Sequence, residues 1–176
     1  QNLFCNLISE PILTIMITFY PGPSKVYPQV AQYAHDAVTS GIISQNHRSP
    51  AFVALSKETI TLLKTKLAIP NDYWVFYASS ATECWEIIAQ SLVQQRSFHI
   101  YNGAFGEKCL GLPSGMAVMI CSPRAIERAK VLNARKHYNS LAFMIEKMED
   151  WQTTYTPNIL NIYLLKRVLQ QIPPIR

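Results

Sequence analysis

The stretch Tyr73-Trp74-Val75-Phe76-Tyr77-Ala78-Ser79-Ser80-Ala81-Thr82-Glu83-Cys84-Trp85 decides the fold. Its first six residues form an unbroken aromatic and β-branched run, the pattern of a buried strand. Small residues follow from Ser79 to Thr82. Cys84, Trp85, Ile87, Ile88 and Leu92 then recur at helical spacing. A strand that passes through a short hydroxyl-rich turn into a helix is the unit of an α/β protein.

Working outward, the same alternation continues. Pro28 suits the first turn of a helix carrying Val30, Tyr33, Ala34, Ala37 and Val38, and Gly41 ends it. Gln45-Asn46-His47-Arg48-Ser49 is a polar loop. Ser49-Pro50 pairs an N-cap with an N1 proline and opens a helix that stops before Pro70. Two further short strands are expected at 98–101 and 116–121. Ser122-Pro123 opens a helix to about Leu132, and a last helix begins near Thr156-Pro157. Pro21-Gly22-Pro23-Ser24 reads as a rigid loop.

Composition limits the classes. The chain has 176 residues, 49% apolar and 15% charged, which excludes an intrinsically disordered chain. A chain of this length buries roughly 70% of its unfolded surface. The apolar run at 12–17 is too short to span a bilayer and has no basic residue before it, so neither a membrane span nor a signal peptide is expected. Residues 1–15 read as an appendage. Cys5, Cys84, Cys109 and Cys121 lack metal-ligand spacing, so reduced thiols, no metal site and a cytoplasmic location are expected. The net charge is +5, with basic residues clustered only at Arg124, Arg128, Lys130, Arg135 and Lys136. That cluster reads as a solvated helix face, and no nucleic-acid partner is expected. Glycine is scarce, six against eleven prolines, yet four of the six are Gly103, Gly106, Gly111 and Gly115.

Four units could carry chemistry. The turn at Ser80, Ala81 and Thr82 precedes a helix, whose free N–H groups and positive dipole end suit a phosphate; ordinary capping is the plainer reading. Asn102-Gly103-Ala104-Phe105-Gly106 can present an aromatic ring to a cleft, or simply be a tight turn around a buried Phe. Lys108 stands in an otherwise apolar, glycine-bearing loop, where desolvation would make it an amine nucleophile; a surface lysine is the alternative. His47 and Arg48 suit an anionic group, or a solvated loop.

Taken in order, these motifs resemble the class V (fold type I) pyridoxal-phosphate aminotransferases, in particular a phosphoserine aminotransferase-like group. The matching segments are FYPGPSKVYP, GIISQNHRSPAF, VFYASSATECWE, YNGAFGEK, KCLGLPSGMAVMICSPRA and YTPN. The resemblance implies a PLP-dependent transferase (aspartate aminotransferase-like) α/β fold in truncated form. Such a fold has a mixed sheet flanked by helices, with a remnant of the C-terminal small domain. The corresponding division is a large cofactor-binding domain over 16–122 and a helical segment with part of a small domain over 123–176. The resemblance further implies pyridoxal 5'-phosphate as cofactor. Lys108 corresponds to the Schiff-base lysine, and Ser80, Ala81 and Thr82 to the phosphate-binding turn. Phe105 corresponds to the aromatic stacked on the cofactor ring, His47 and Arg48 to the receiver of the substrate's anionic group, and Pro21 and Gly22 to the entry segment. Thr156 corresponds to a residue that reaches the phosphate from the partner subunit of a homodimer. Tyr155 departs from the Asn common at its position.

The resemblance also implies an Asp beneath the pyridine nitrogen, on a long stretch between the NGxFG and lysine motifs. Here Phe105-Gly106-Glu107-Lys108 runs straight into Cys109-Leu110-Gly111, without that stretch. Lys108 is therefore the join, and it belongs either to the upstream motif or to the lysine motif. Glu83, Glu86, Asp36, Asp72 and Asp150 are the acids in view, none in an evident replacing position and the three aspartates in exposed-looking contexts. Two functions follow. One is amino-group transfer between phosphoserine, or a similar amino acid, and a 2-oxo acid in serine biosynthesis, weakened by the missing stretch. The other is an inactive binding or dimerising module of the same family.

Overall fold

The computed structural model describes residues 26–96 and 115–174. Lys108, Phe105, Pro21, Gly22, the strand expected at 98–101 and the appendage at 1–15 lie outside the described residues. In chain order the elements are α1 (Val30–Thr39), a 3-10 turn (Ile42–Ser44), α2 (Pro50–Lys66), β1 (Trp74–Ala78), α3 (Ala81–Leu92), β2 (Ala117–Cys121), α4 (Pro123–Leu132), α5 (Leu141–Glu149) and α6 (Ile159–Gln171).

β1 and β2 pair antiparallel, with Trp74 opposite Cys121 and Ala78 opposite Ala117. Val75, Phe76, Tyr77 and Ala78 are all buried, as their continuous apolar run requires of a strand covered on both faces. Helices cover this ribbon to give a mixed α/β arrangement. One apolar core runs from Phe52 and Leu63 of α2 through Phe76 and Ile87 to Ile145 of α5 and Ile162, Leu165 and Leu169 of α6. The core therefore joins elements on both sides of position 122.

Local chemistry sets the helix starts. Ser49, Ser80 and Ser122 each accept an N–H bond three residues on, at 3.2, 3.1 and 3.3 Å. Pro50 and Pro123 follow their caps, where a missing N–H costs nothing. Gly41 takes φ 69°, which turns the chain after α1.

One boundary differs from the sequence expectation, and one helix is additional to it. α2 ends at Lys66, before Pro70 as expected, because Ala68 takes a left-handed φ of 51° and the Ile69 N–H bonds back to the Lys64 carbonyl. α6 starts at Ile159, because Asn158 and not Thr156 supplies the cap, accepting from the Asn161 N–H at 3.0 Å. α5 was not anticipated, although Leu141, Met144, Ile145 and Met148 give it a buried stripe at helical spacing.

Candidate anion site at the N-terminus of α3

β1 carries the chain from a buried Ala78 into an exposed turn of Ser79, Ser80, Ala81 and Thr82. The Ser80 hydroxyl caps α3 by accepting the Glu83 N–H at 3.1 Å. Glu83 reaches back, and its Oε2 accepts both the Ser79 N–H and the Ser79 hydroxyl at 2.6 Å. Ser80-Ala81-Thr82-Glu83 thus forms a variant of the capping box, displaced one residue outward. The Ser-x-x-Glu spacing was the sequence signal for this contact, and sequence reasoning passed over it. Among the described residues, the Ala81 and Thr82 amides are left without a partner at the positive end of a 12-residue helix.

A second element closes on this turn. The Tyr155 hydroxyl donates to the Tyr77 carbonyl at 3.0 Å, two residues before Ser79. Its ring lies 6.0 Å from that of Tyr138. Burial, and then the nearby Glu83 carboxylate, push the Tyr155 phenol above its ordinary value. The same two causes, in the same order, raise Tyr138. Glu83, Tyr138 and Tyr155 therefore share one neighbourhood. Thr156 is exposed beside Tyr155, between it and the buried Pro157. Tyr138 carries no motif, and nothing in the sequence singled it out.

The other expected site residues stand apart. His47 and Arg48 lie on the loop before α2, where the Arg48 N–H donates to Asn46 Oδ1 at 2.8 Å. Burial and the adjacent Arg48 lower the His47 pKa, which favours its neutral form. Among the described residues, no hydrogen bond or ion pair joins His47 or Arg48 to the α3 turn. Glu86 is exposed and accepts from Gln90 at 2.9 Å. Asp36, expected in an exposed context, is half-buried and bonded by Arg167 at 2.9 Å. Asp72 and Asp150 are exposed.

Burial pushes the Cys121 thiol up to about 11 and raises that of Cys84, so neither is poised as a thiolate. Among the described residues, no group of three His, Cys, Asp or Glu side chains could hold a metal ion. Nor is any described helix long and apolar enough to cross a membrane.

The two open amides and the exposed Thr82 hydroxyl fit the phosphate end of a cofactor. Small residues at Ser80 and Ala81 leave it room to approach. Glu83 opposes this fit in part, because its carboxylate already holds the Ser79 donors and repels a second anion.

No protein-family model matches the chain. It is 27% identical over 99 residues to a phosphoserine aminotransferase of Azobacteroides pseudotrichonymphae genomovar. CFP2. That match covers 52% of this chain and 28% of that protein. The fold matches the crystal structure of the phosphoserine aminotransferase SerC from Cytophaga hutchinsonii ATCC 33406 with a TM-score of 0.79 and 26% identity. The structural match covers 85% of this chain and 69% of that one. With this fold, and with the strand–turn–helix unit in place, the chain is similar to phosphoserine aminotransferases and spans only part of the length of these relatives.

Proposed function

We propose that the chain binds pyridoxal 5'-phosphate at the N-terminus of α3 and serves amino-group transfer, at a low rate, between phosphoserine or a similar amino acid and a 2-oxo acid. The observation that carries this reading is the exposed Ser80-Ala81-Thr82 turn, whose two open amides meet the positive end of α3. When bound, the cofactor supplies an electron sink and a carrier for the amino group.

The chain's own residues have distinct tasks in this reading. The Ala81 and Thr82 amides and the Thr82 hydroxyl hold the phosphate. Lys108 supplies the amine that anchors the cofactor and moves the α-proton of the substrate. Phe105 covers one face of the cofactor ring. His47, Arg48, Pro21 and Gly22 receive the substrate, and Thr156 adds a hydroxyl across a homodimer. A cytoplasmic enzyme of serine biosynthesis, divided into 16–122 and 123–176, belongs to the same reading.

Glu83 favours a second reading, an inactive binding or dimerising module. Its carboxylate sits on donors at the end of α3 where a competing anion would approach.

The test is a titration with pyridoxal phosphate followed by visible absorbance, then addition of phosphoserine and a 2-oxo acid. The reading expects a saturable visible band, lost in Lys108→Ala, and slow but measurable turnover. Saturable binding without turnover selects the inactive module. Absence of any saturable band overturns cofactor binding itself.

A further inference from the structure

At the opposite end of β1 from Ser80 lies a cleft of about 400 Å3. We propose that it binds an organic cation, an ammonium group carried on a flat aromatic body. Its volume is within the range of small-molecule sites, and its lining mixes apolar walls with a few polar groups.

The indoles of Trp74 and Trp151 line the cleft, with Asp72 and Glu149 as its acids and Lys64 as its base. Among the described residues, neither acid makes an ion pair or a side-chain hydrogen bond. The Lys64 ammonium donates to the Asn71 carbonyl at 2.8 Å and forms no ion pair with either acid, so its charge offsets theirs only in part.

Two helices end here. α2 contributes Lys64 from its last turn, and α5 contributes Met148 and Glu149. Helix C-termini carry partial negative charge and favour cations. Each end is closed by a non-glycine residue in the left-handed region, Ala68 at φ 51° and Trp151 at φ 59°. The Ile69 N–H bonds to the Lys64 carbonyl at 2.9 Å, and the Gln152 N–H to that of Lys147 at 3.0 Å. Glycine is the usual residue at such a position, and a bulky Trp there is strained. Backbone strain of this kind clusters at binding sites. Here it belongs to the residue whose indole forms a wall of the cleft.

The indoles also attract ammonium groups in this fold. Lys57 Nζ lies 5.8 Å from the Trp151 ring, and Lys130 Nζ lies 5.9 Å from the Trp74 ring. Neither lysine lines the cleft. A net charge of +5 repels cations from the chain as a whole, so capture here must come from these local features. No residue of the Ser80 turn takes part, and the proposal stands apart from cofactor binding.

The test is titration of the full chain with phenethylammonium, read from the indole N–H signals in nitrogen-correlated proton NMR. There are three tryptophans, and the signals of Trp74 and Trp151 shift saturably while that of Trp85 stays in place. Phenylacetate, with the same ring and the opposite charge, shifts neither. Trp151→Gly removes the indole and relieves the strained φ, and it loses binding; because Trp151 also packs on the core, the variant's fold is checked by its amide spectrum. Asp72→Asn combined with Glu149→Gln weakens binding about tenfold or more. Lack of a saturable shift at Trp74 and Trp151, equal shifts with phenylacetate, or unchanged binding in Trp151→Gly would overturn the proposal.

Discussion

The Tyr155 hydroxyl donates to the Tyr77 carbonyl at 3.0 Å, across 78 residues of sequence. This bond fastens the loop before α6 to the end of β1, and so holds Tyr155 beside the α3 turn. Removing the hydroxyl while keeping the ring leaves the Tyr77 carbonyl short of a donor. Tyr155→Phe is therefore expected to lower stability by about 1 kcal/mol, read as a lower urea midpoint at unchanged slope. An unchanged midpoint would show that the bond contributes nothing.

Tyr77 and Tyr155 also make stability depend on alkaline pH. Burial raises both phenols above the ordinary value of 10.0, and the Tyr77 hydroxyl donates to the Ser56 carbonyl at 3.3 Å. A group whose folded pKa is raised lends stability in full below the unfolded value and loses it as pH rises toward the folded value. The urea midpoint is expected to hold up to about pH 10 and to fall above it. Tyr155→Phe should flatten that fall. A wild-type midpoint independent of pH in this range would contradict the burial argument.

Arg167 joins α6 to α1 through Asp36. Its Nη1 bonds Asp36 Oδ2 at 2.9 Å and the Tyr163 hydroxyl at 2.8 Å, and its guanidinium stacks 4.4 Å from the Tyr33 ring. Hydrogen bonds from Gln32, and then from Arg167, hold the Asp36 carboxyl below its ordinary value. That contribution is present above the unfolded carboxyl pKa and is lost as pH falls through the folded one. Because the pair is partly exposed, Asp36→Asn is expected to have a small effect. Arg167→Ala is expected to have a larger one, since it also removes the ring stacking. Amide exchange across Val30–Thr39 reads the difference. Equal exchange in both variants would assign α1 docking to apolar packing alone.

Ser56 and Phe52 provide a contrast on one helix. The Ser56 hydroxyl is fully buried and, among the described residues, has no hydrogen-bond partner. Ser56→Ala is expected to be neutral or to stabilise by about 1 kcal/mol, because an unmade bond is removed with its desolvation cost. Phe52 is fully buried in the core, and Phe52→Ala should cost about 3–5 kcal/mol. Thermal melts of the two variants should shift in opposite directions, or only the second should shift.

Much of the architecture was readable because single residues carried strong local rules. Ser49-Pro50 and Ser122-Pro123 marked two helix starts, and the run from Trp74 to Ala78 marked β1. The ends were less readable, since left-handed Ala68 and Trp151 break the expectation of glycine at such stops. The site was legible at Ser80 to Thr82, where strand, turn and cap are contiguous. It was not legible at Tyr138 and Tyr155, which meet Glu83 only through tertiary packing. Glu83 fell between the two, since its capping-box spacing was visible and its effect on an anion was not.

The central claim is that the N-terminus of α3 holds a phosphate and that Glu83 works against it. Equilibrium titration with pyridoxal phosphate, compared across wild type, Thr82→Ala and Glu83→Gln, tests this most directly. The account predicts weaker binding in Thr82→Ala and binding about tenfold tighter in Glu83→Gln, as expected when a competing charge is removed. Equal affinity in all three proteins would contradict it.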